Sequence, residues 1–500
     1  MVGGICKKAP ATKLHFLNNF FCTLKSYFCG VRKKNKLPAL ENILVTDYAA
    51  EGKSLVKIEG KVIFISGAIP GDIVNIQLVK SKKDWAEGRI IEIIKPSQER
   101  LTPFCKHFGT CGGCKWQMLP YEKQLQFKQQ EAEQNLKRIG KTNIPDLLPI
   151  IGSSKTTQYR NKLEFTFSNK RYLTHEEIGK EENQQQNALG YHAPRLFDKI
   201  IDIETCYLLD DVNNTIRNSV RDIAIKNNWD FYDARLHTGW LRNIIIRFTT
   251  TGELMVNICL NYEDTEKRIE LLDYLLQKVP SISTLLYTIN PKWNDSIYDL
   301  TPQVYFGKGF VIENLQNLQF IISPKSFFQT NTEQAVQLYS VTKNFAGLTG
   351  NEIVYDLYCG TGSIGIFVSD KAKKIIGVEV VEEAIEDAKK NAALNNIQHA
   401  EFFAGDVIKI CNDEFFNKHG KPDVVITDPP RAGMHEKLIN KLLDMQAPKI
   451  VYVSCNTATQ ARDIALLSEK YEVLKVQPVD MFPHTHHIEC VALLSLKTTD

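Results

Sequence analysis

Between Glu352 and Asp463 the chain alternates strand-like and helix-like segments, and the strands end on residues that can bind or react. EIVYDLYCGTGSIGIF reads as a strand, a Gly-rich turn and the start of a helix. Gly360, Gly362 and Gly365 there allow a backbone to approach a ligand closely at a helix N-terminus. IIGVEV ends a second strand at Glu379, 23 residues beyond Asp356, where an acid can take both hydroxyls of a ribose. FFAGDV puts Asp406 after a third strand, suited to an adenine edge, and DVVITDPPRAG ends a fourth at Asp428-Pro429-Pro430. IVYVSCNTATQARD is a fifth, with Cys455 where strand must yield to turn and helix, and Glu472–Leu496 supplies a closing β-hairpin. Strand–helix alternation of this kind specifies an α/β, Rossmann-like sheet that binds ligands at the carboxyl ends of its strands. A single Gly-rich turn would be shared by several nucleotide-binding families; the acids spaced downstream narrow the choice.

The chain of 500 residues is too long for that unit alone. Residues 1–36 hold eight Lys/Arg and no acid, and are expected to be a basic, disordered extension. The remainder carries 53 basic and 58 acidic residues, so any affinity for nucleic acid must come from local patches. No apolar run approaches the ~18–20 residues of a membrane span. Residues 37–98 read as short strands, punctuated by Gly52, Gly60, Gly67, Pro70-Gly71 and Gly88, as in a small closed β-barrel. Lys80, Lys82, Lys83, Trp85 and Arg89 offer it charge and an aromatic ring; such barrels present basic grooves to single-stranded nucleic acid. Tyr121–Arg138 reads as a polar helix with Leu125, Phe127, Ala132, Leu136 and Ile139 as its apolar stripe. Residues 158–325 are mixed α/β, with QYRNKLEFTFSN a clean strand and 176–187 a polar loop. Arg160, Lys162, Lys170 and Arg171 there suit phosphate contacts or a solvated strand face equally.

FCKHFGTCGGCKW holds three thiols within ten residues, Cys105, Cys111 and Cys114, with glycines that let them face one centre. Cys206 is the best fourth ligand. Four thiolates suit tetrahedral zinc or an iron–sulfur cluster. Zinc sites more often use two C-x2-C pairs, so the spacing here favours the cluster. Cysteine clustering in a chain without a convincing secretory signal points to the cytoplasm.

YDLYCGTG, GVE, GD and DPP, in that order, resemble a class I S-adenosylmethionine-dependent methyltransferase. Members that methylate amino groups keep an aromatic after the two prolines, where this chain has Arg431. With FFQTN, DPPRAG, VSCNTATQARD and HHIECVALL, the resemblance is to RNA uracil-5-methyltransferases. The barrel resembles a TRAM domain, and with C-x5-C-G-G-C the chain is most similar to the iron–sulfur 23S rRNA (uracil-5-)-methyltransferases, tRNA-modifying relatives generally lacking barrel and cluster. The resemblance implies domains over 37–98 (TRAM-like), 99–325 (central iron–sulfur and RNA-binding, with a helix near 120–140 that can pack on the next domain) and 326–500 (catalytic). It implies Cys455 as nucleophile toward uracil C6 and Glu489 as the base that removes the C5 proton. Gln329, Tyr358, Ser363, Glu379 and Asp406 would hold S-adenosylmethionine, with Asp428 beside them, and the four cysteines a [4Fe-4S] cluster. The implied partner is a loop or single-stranded uridine of 23S rRNA, flipped out onto Phe327, with no membrane or DNA partner and a monomeric enzyme. Alternatives are a tRNA uracil-5-methyltransferase and a noncatalytic iron–sulfur RNA-binding protein.

The chemistry sets two demands. A free thiol with pKa ~8.5 is mostly protonated at neutral pH, so the site should lower the Cys455 value. Glu489 sits in an apolar strand, where burial would raise its pKa toward a useful one; the competing role is a Glu paired with His486 or His487.

Overall fold

The computed structural model describes residues 37–140, 143–174, 176–180 and 186–498. The basic extension expected over 1–36 and part of the polar loop expected over 176–187 lie outside the described residues.

The first sheet has six strands, β1 (Ala39–Leu44), β2 (Asp47–Ala49), β3 (Lys53–Ile58), β4 (Lys61–Ser66), β5 (Ile73–Ser81) and β6 (Trp85–Lys95), in the order β1-β5-β6-β4-β3-β2. ILVTDYA, which reads as one strand, breaks because its two halves take different partners: β1 pairs with β5 and β2 with β3. The corner is held by Val45 N–H on Asp72 O (2.9 Å) and Thr46 N–H on Leu55 O (3.1 Å). Alternate residues, among them Val56, Ile63, Ile65, Val74 and Ile76, fill one core. Lys80 Nζ lies 4.6 Å from the Trp85 ring centroid, pairing the basic and aromatic residues of that surface.

Helix α1 (Tyr121–Gly140) buries only part of the apolar stripe its sequence suggests, Ala132 and Leu136 fully and Leu125 and Phe127 in part. Gln124, Lys128, Ala132, Leu136 and Gly140 face inward, and Ile139 is exposed. Polar side chains win those positions because each finds a partner: Lys128 Nζ donates to Asp480 Oδ1 (2.6 Å), and Gln124 Nε2 to Trp116 O (3.0 Å) and Leu119 O (2.9 Å). Buried polar groups persist where they are paired.

The central sheet, ordered β13-β12-β11-β10-β7-β8-β9, is built from β7 (Lys162–Ser168), β8 (Ala188–His192), β9 (Ile200–Asp202), β10 (Leu241–Phe248), β11 (Leu254–Leu260), β12 (Thr284–Ile289) and β13 (Gln303–Gly307). Helices α2 (Val212–Lys226) and α3 (Thr265–Lys278) pack against each other beside it. Leu163, Phe165 and Phe167 of β7 are buried, as the alternation requires. A hairpin, β14 (Val311–Leu315) and β15 (Leu318–Ile322), and helix α4 (Thr332–Ala346) lead into the last sheet.

That sheet contains β16 (Ile353–Leu357), β17 (Lys374–Glu379), β18 (Ala400–Ala404), β19 (Val424–Thr427), β20 (Lys449–Ser454), β21 (Tyr471–Val479) and β22 (Glu489–Leu496), ordered β18-β17-β16-β19-β20-β22-β21. The first five are parallel, and β22 is antiparallel to both neighbours. Helices α5 (Ser363–Val368), α6 (Glu382–Leu394), α7 (Val407–Ile410), α8 (Asp413–His419), α9 (Glu436–Met445) and α10 (Thr457–Leu467) make the crossovers. Apolar residues of β16, β19 and β20 face alternately into two separate cores. The α/β, Rossmann-like sheet expected for this part of the chain is therefore present, with α1 packed on α10. Among the described residues no helix is long and apolar enough to cross a membrane.

Candidate active site

Strand register brings the reactive residues together. In the β20/β22 pair the last partners are Ser454 and Cys490, and the residues just beyond them, Cys455 and Glu489, lie near enough for the Glu489 carboxyl to act on the thiol. Paired strands lie only ~4.8 Å apart. Glu489 is flanked on its other side by Val479 of β21. Asp428 ends the adjacent β19, and Arg431 follows it on a loop fastened over the start of α10. Asn456 Nδ2 and Thr459 Oγ1 donate to Arg431 O at 3.1 and 3.3 Å. Asn456 also caps α10, its Oδ1 accepting from Ala458 N (3.1 Å). Deeper, Asp463 accepts from Tyr452 Oη (2.6 Å) and Met434 N (2.8 Å), locking the DPPRAG loop to the helix that follows the cysteine.

The electrostatics overturn one expectation. Cys455 is half-buried, and its thiol is pushed up to about 11 rather than lowered. Burial is the largest cause, followed by the carboxyls of Glu489 and Asp428; the nearby Arg431 guanidinium pulls the other way. Glu489 is buried, and burial followed by Asp428 raises it well above the carboxylate range, against Arg431. Burial raises Asp428 to about 7. Two acids and a thiol thus crowd one place with one guanidinium between them. No hydrogen bond or ion pair joins Glu489 to His486 or His487; instead Arg431 Nη2 lies 2.5 Å from His487 Nδ1. Burial, with Arg431 and His486 adding to it, lowers His487 to about 3, so its ring is neutral and able to accept that bond.

The other carboxyl ends form a separate cradle. Glu379 is held by backbone, its Oε2 accepting from Gly360 N (3.2 Å) and its Oε1 from Val380 N (2.8 Å) and Val381 N (3.1 Å). Tyr358 has a φ of 61°, a left-handed conformation uncommon outside glycine, and its phenol is raised by burial and then by nearby Asp406. Gly360 opens onto free space where a side chain would stand. Asp356 Oδ2 accepts from Gly365 N (2.8 Å), while its buried Oδ1 has no partner. Asp406 is exposed and caps α7 through Ile408 N (3.0 Å). Ser363 Oγ lies 3.0 Å from Tyr339 Oη, a buried hydroxyl on α4 with no warning in the sequence. Gln329 is buried, its carbonyl accepting from Asn161 Nδ2 (2.9 Å) of the central sheet. Phe327 is 66 % exposed. An unpartnered buried carboxyl oxygen, an open glycine turn and an oriented strand-end acid fit a nucleoside cofactor.

The four cysteines gather elsewhere. Cys105, Cys111, Cys114 and Cys206 line one cavity of about 310 Å³, whose wall also includes Arg160 and Thr330, the neighbour of Gln329. Burial raises Cys111 to about 11 and Cys114 to about 12, and each is raised further by Cys206 and by the other thiols. Among the described residues no group of three or more His, Cys, Asp or Glu stands close enough to grip a single ion. The segment after Cys114 reaches the active-site side of the molecule: Lys115 N and Trp116 N donate to His484 O at 2.7 and 3.1 Å. Of the basic residues of β7 and its flanks, Lys170 is paired with Asp233 (2.7 Å), Arg171 with Glu177, and Arg160 lies over Phe482 (5.1 Å), while Lys162 lines the cysteine cavity.

Known proteins resemble this chain over most of its length. Residues 301–497 match the family model described as tRNA (Uracil-5-)-methyltransferase, and residues 41–91 match the TRAM domain. A protein of Bacteroides thetaiotaomicron described as an uncharacterized RNA methyltransferase is 52% identical over 90% of this chain and 100% of its own length. A Porphyromonas gingivalis protein of the same description is 48% identical over 91% of this chain and 99% of its own. Among solved structures, Pyrococcus abyssi tRNA (uracil-54, C5)-methyltransferase in complex with S-adenosyl-L-homocysteine aligns with a TM-score of 0.69 at 26% identity, over 91% of this chain and 100% of that one.

Proposed function

We propose, from the premise that this chain belongs to the TRAM-containing RNA uracil-5-methyltransferase family, that it methylates C5 of a uridine in 23S rRNA through a covalent Cys455 adduct. The observation that supports the mechanism is that Cys455 directly follows the last paired residue of β20, that Glu489 begins β22, and that the Glu489 carboxyl and the Arg431 guanidinium both act on the thiol. S-Adenosylmethionine, when bound, supplies an electrophilic methyl group on a positively charged sulfonium. Glu379, the Gly360 turn and Asp356 are the residues that fit it best, with Tyr358, Ser363, Asp406 and Gln329 around them.

The rest follows from the chain's own groups. The Cys455 thiolate bonds to uracil C6, and the C5=C6 electron pair shifts onto C5 and O4, which makes C5 nucleophilic enough to take the methyl group. Glu489 then accepts the C5 proton, the C–H pair rebuilds C5=C6, and the S–C6 bond breaks to return the thiolate. Arg431 favours the thiolate and the ionised Glu489 alike, since its charge lowers both. Phe327 offers a face on which an extruded base can stack.

Incubation with 5-fluorouridine-containing RNA and S-adenosylmethionine tests this. Fluorine at C5 cannot leave as a proton, so a covalent protein–RNA band should accumulate with wild type and vanish in Cys455→Ala. Absence of the band with wild type, or its persistence in Cys455→Ala, ends the mechanism.

A tRNA substrate is the second reading. The Pyrococcus abyssi enzyme, whose name gives tRNA uracil-54 as its target, matches 91% of this chain. A match so long removes much of the weight that the barrel otherwise lends to rRNA. Mass mapping of rRNA and tRNA from wild-type and deletion cells separates the two.

Cys105, Cys111, Cys114 and Cys206 are the residues that would hold a [4Fe-4S] cluster. Their convergence on one cavity supports it. Bound there, a cluster would tie the 104–116 segment to Cys206 and steady the contacts of Lys115 and Trp116 with His484. Anaerobic purification with iron, zinc and sulfide analysis decides between the metals.

A further inference from the structure

Trp293 is 79 % exposed, an unusual position for the largest apolar side chain. It is also held still. Its ring stacks on His237 with centroids 4.6 Å apart and planes at 4°. The His237 ring is in turn fixed by a hydrogen bond of 3.0 Å between its Nδ1 and Tyr232 Oη. The loop that carries Trp293 is pinned on both sides by one buried guanidinium. Arg242 donates to Asn290 O (2.7 Å) and Lys292 O before the ring, and to Asn294 O (3.0 Å) and Asp295 Oδ1 (2.9 Å) after it. The loop that carries His237 is closed by Asp233 N on Thr238 O and His237 N on Asp233 O, both 2.8 Å.

These rings border a cavity of about 660 Å³ on the central sheet, which Phe197, 63 % exposed, borders as well. Phe197 is overlaid by the Arg235 guanidinium at 5.4 Å. The charges nearby are already matched, Arg235 to Asp198, Arg242 to Asp295 and Lys170 to Asp233. A net basic groove for phosphates is therefore absent from this lining, and flat aromatic faces are what it has to offer. The residues lie at the Ser168 end of β7, while Asn161, just before its other end, bonds to Gln329. At ~3.3 Å per residue the two ends of that strand stand about 20 Å apart.

We propose that Trp293, backed by His237, is a preformed stacking platform for an unpaired base of the substrate RNA, remote from the methylated uridine. The proposal rests on the substrate's being RNA. A preoriented ring loses little freedom on binding, and a base on an aromatic face is recognised without regard to sequence. The platform would therefore add affinity and register without taking part in chemistry.

Filter binding of a 23S rRNA transcript to the full chain, without cofactor, measures this independently of methyl transfer. Trp293→Ala should weaken binding about ten-fold, within the range of one lost stack, and Trp293→Phe should restore most of it. A transcript containing 5-bromouridine should photocrosslink at Trp293, located by mass spectrometry of the tryptic peptides. Unchanged RNA affinity in Trp293→Ala overturns the platform, whether or not the wild-type protein methylates. A failure of wild type to methylate, with the ten-fold loss still present, would instead overturn the assigned reaction and leave the platform standing.

Discussion

Replacing Glu489 by Gln tests the assignment of the base, because the substitution has two effects of opposite sign. Gln cannot accept the C5 proton, so the adduct formed after methyl transfer has no way to release Cys455. Loss of a general base costs ~10²–10⁴-fold in turnover. The same substitution removes the second-largest influence that holds the Cys455 thiol up near 11, so addition to C6 should not slow. A methylated, covalently linked RNA should therefore accumulate with ordinary uridine, visible as a shifted band on a denaturing gel, while multiple-turnover methylation collapses. The fold should tolerate the change. Glu489 is buried and its folded-state pKa is raised above the unfolded value of ~4.3. The folded state thus keeps a proton that the unfolded state gives up, and stability is lost as pH rises above ~4.3 and on toward the folded pKa, by up to about 1.4 kcal/mol per pH unit. Gln is free of that loss, so Glu489→Gln should unfold at a higher temperature than wild type at neutral pH, with the gap closing near pH 4. Turnover within ten-fold of wild type, or lost turnover without any adduct while single-turnover methyl transfer persists, would refute the role of Glu489.

Three further outcomes follow from the same geometry. Single-turnover adduct formation should rise with pH between 6 and 9, because a thiol near 11 gains thiolate over that whole window; a flat or falling profile would contradict it. Glu379→Ala should weaken S-adenosylmethionine about ten- to a hundred-fold, the worth of hydrogen bonds to a charged group, with RNA affinity unchanged, as read by calorimetry and filter binding. Lys128→Ala strands Asp480, whose carboxylate it neutralises in a fully buried pair, and should cost about 3–5 kcal/mol in denaturant unfolding.

What could be read from the chain alone was whatever repeats with a local period or sits at a fixed offset. The strand ends at Asp356, Glu379, Asp406, Asp428 and Cys455 belong to that class, since each is announced by the apolar run before it. The alternation of β7 is legible for the same reason. Helix α1 shows where such reasoning falls short: its apolar pattern correctly marks Ala132 and Leu136 but also Ile139, which is exposed, and misses Lys128, which is inside because Asp480, 352 residues away, supplies its partner. Hydrophobicity cannot register a burial that depends on a distant carboxylate.

The residue types on which the proposed reaction rests are thus legible in the sequence, together with the chain order of the strands that carry them. Their working relation was decided only by the tertiary structure. Cys455 and Glu489 are 34 residues apart in the chain, and it is the pairing of β20 with β22, which ends at Ser454 and Cys490, that brings them to one place. Their charge states reverse a simple expectation for the same reason. An isolated cysteine beside an arginine would be acidified, but folding also buries this one and brings Glu489 and Asp428 to it, and those effects outweigh the single guanidinium.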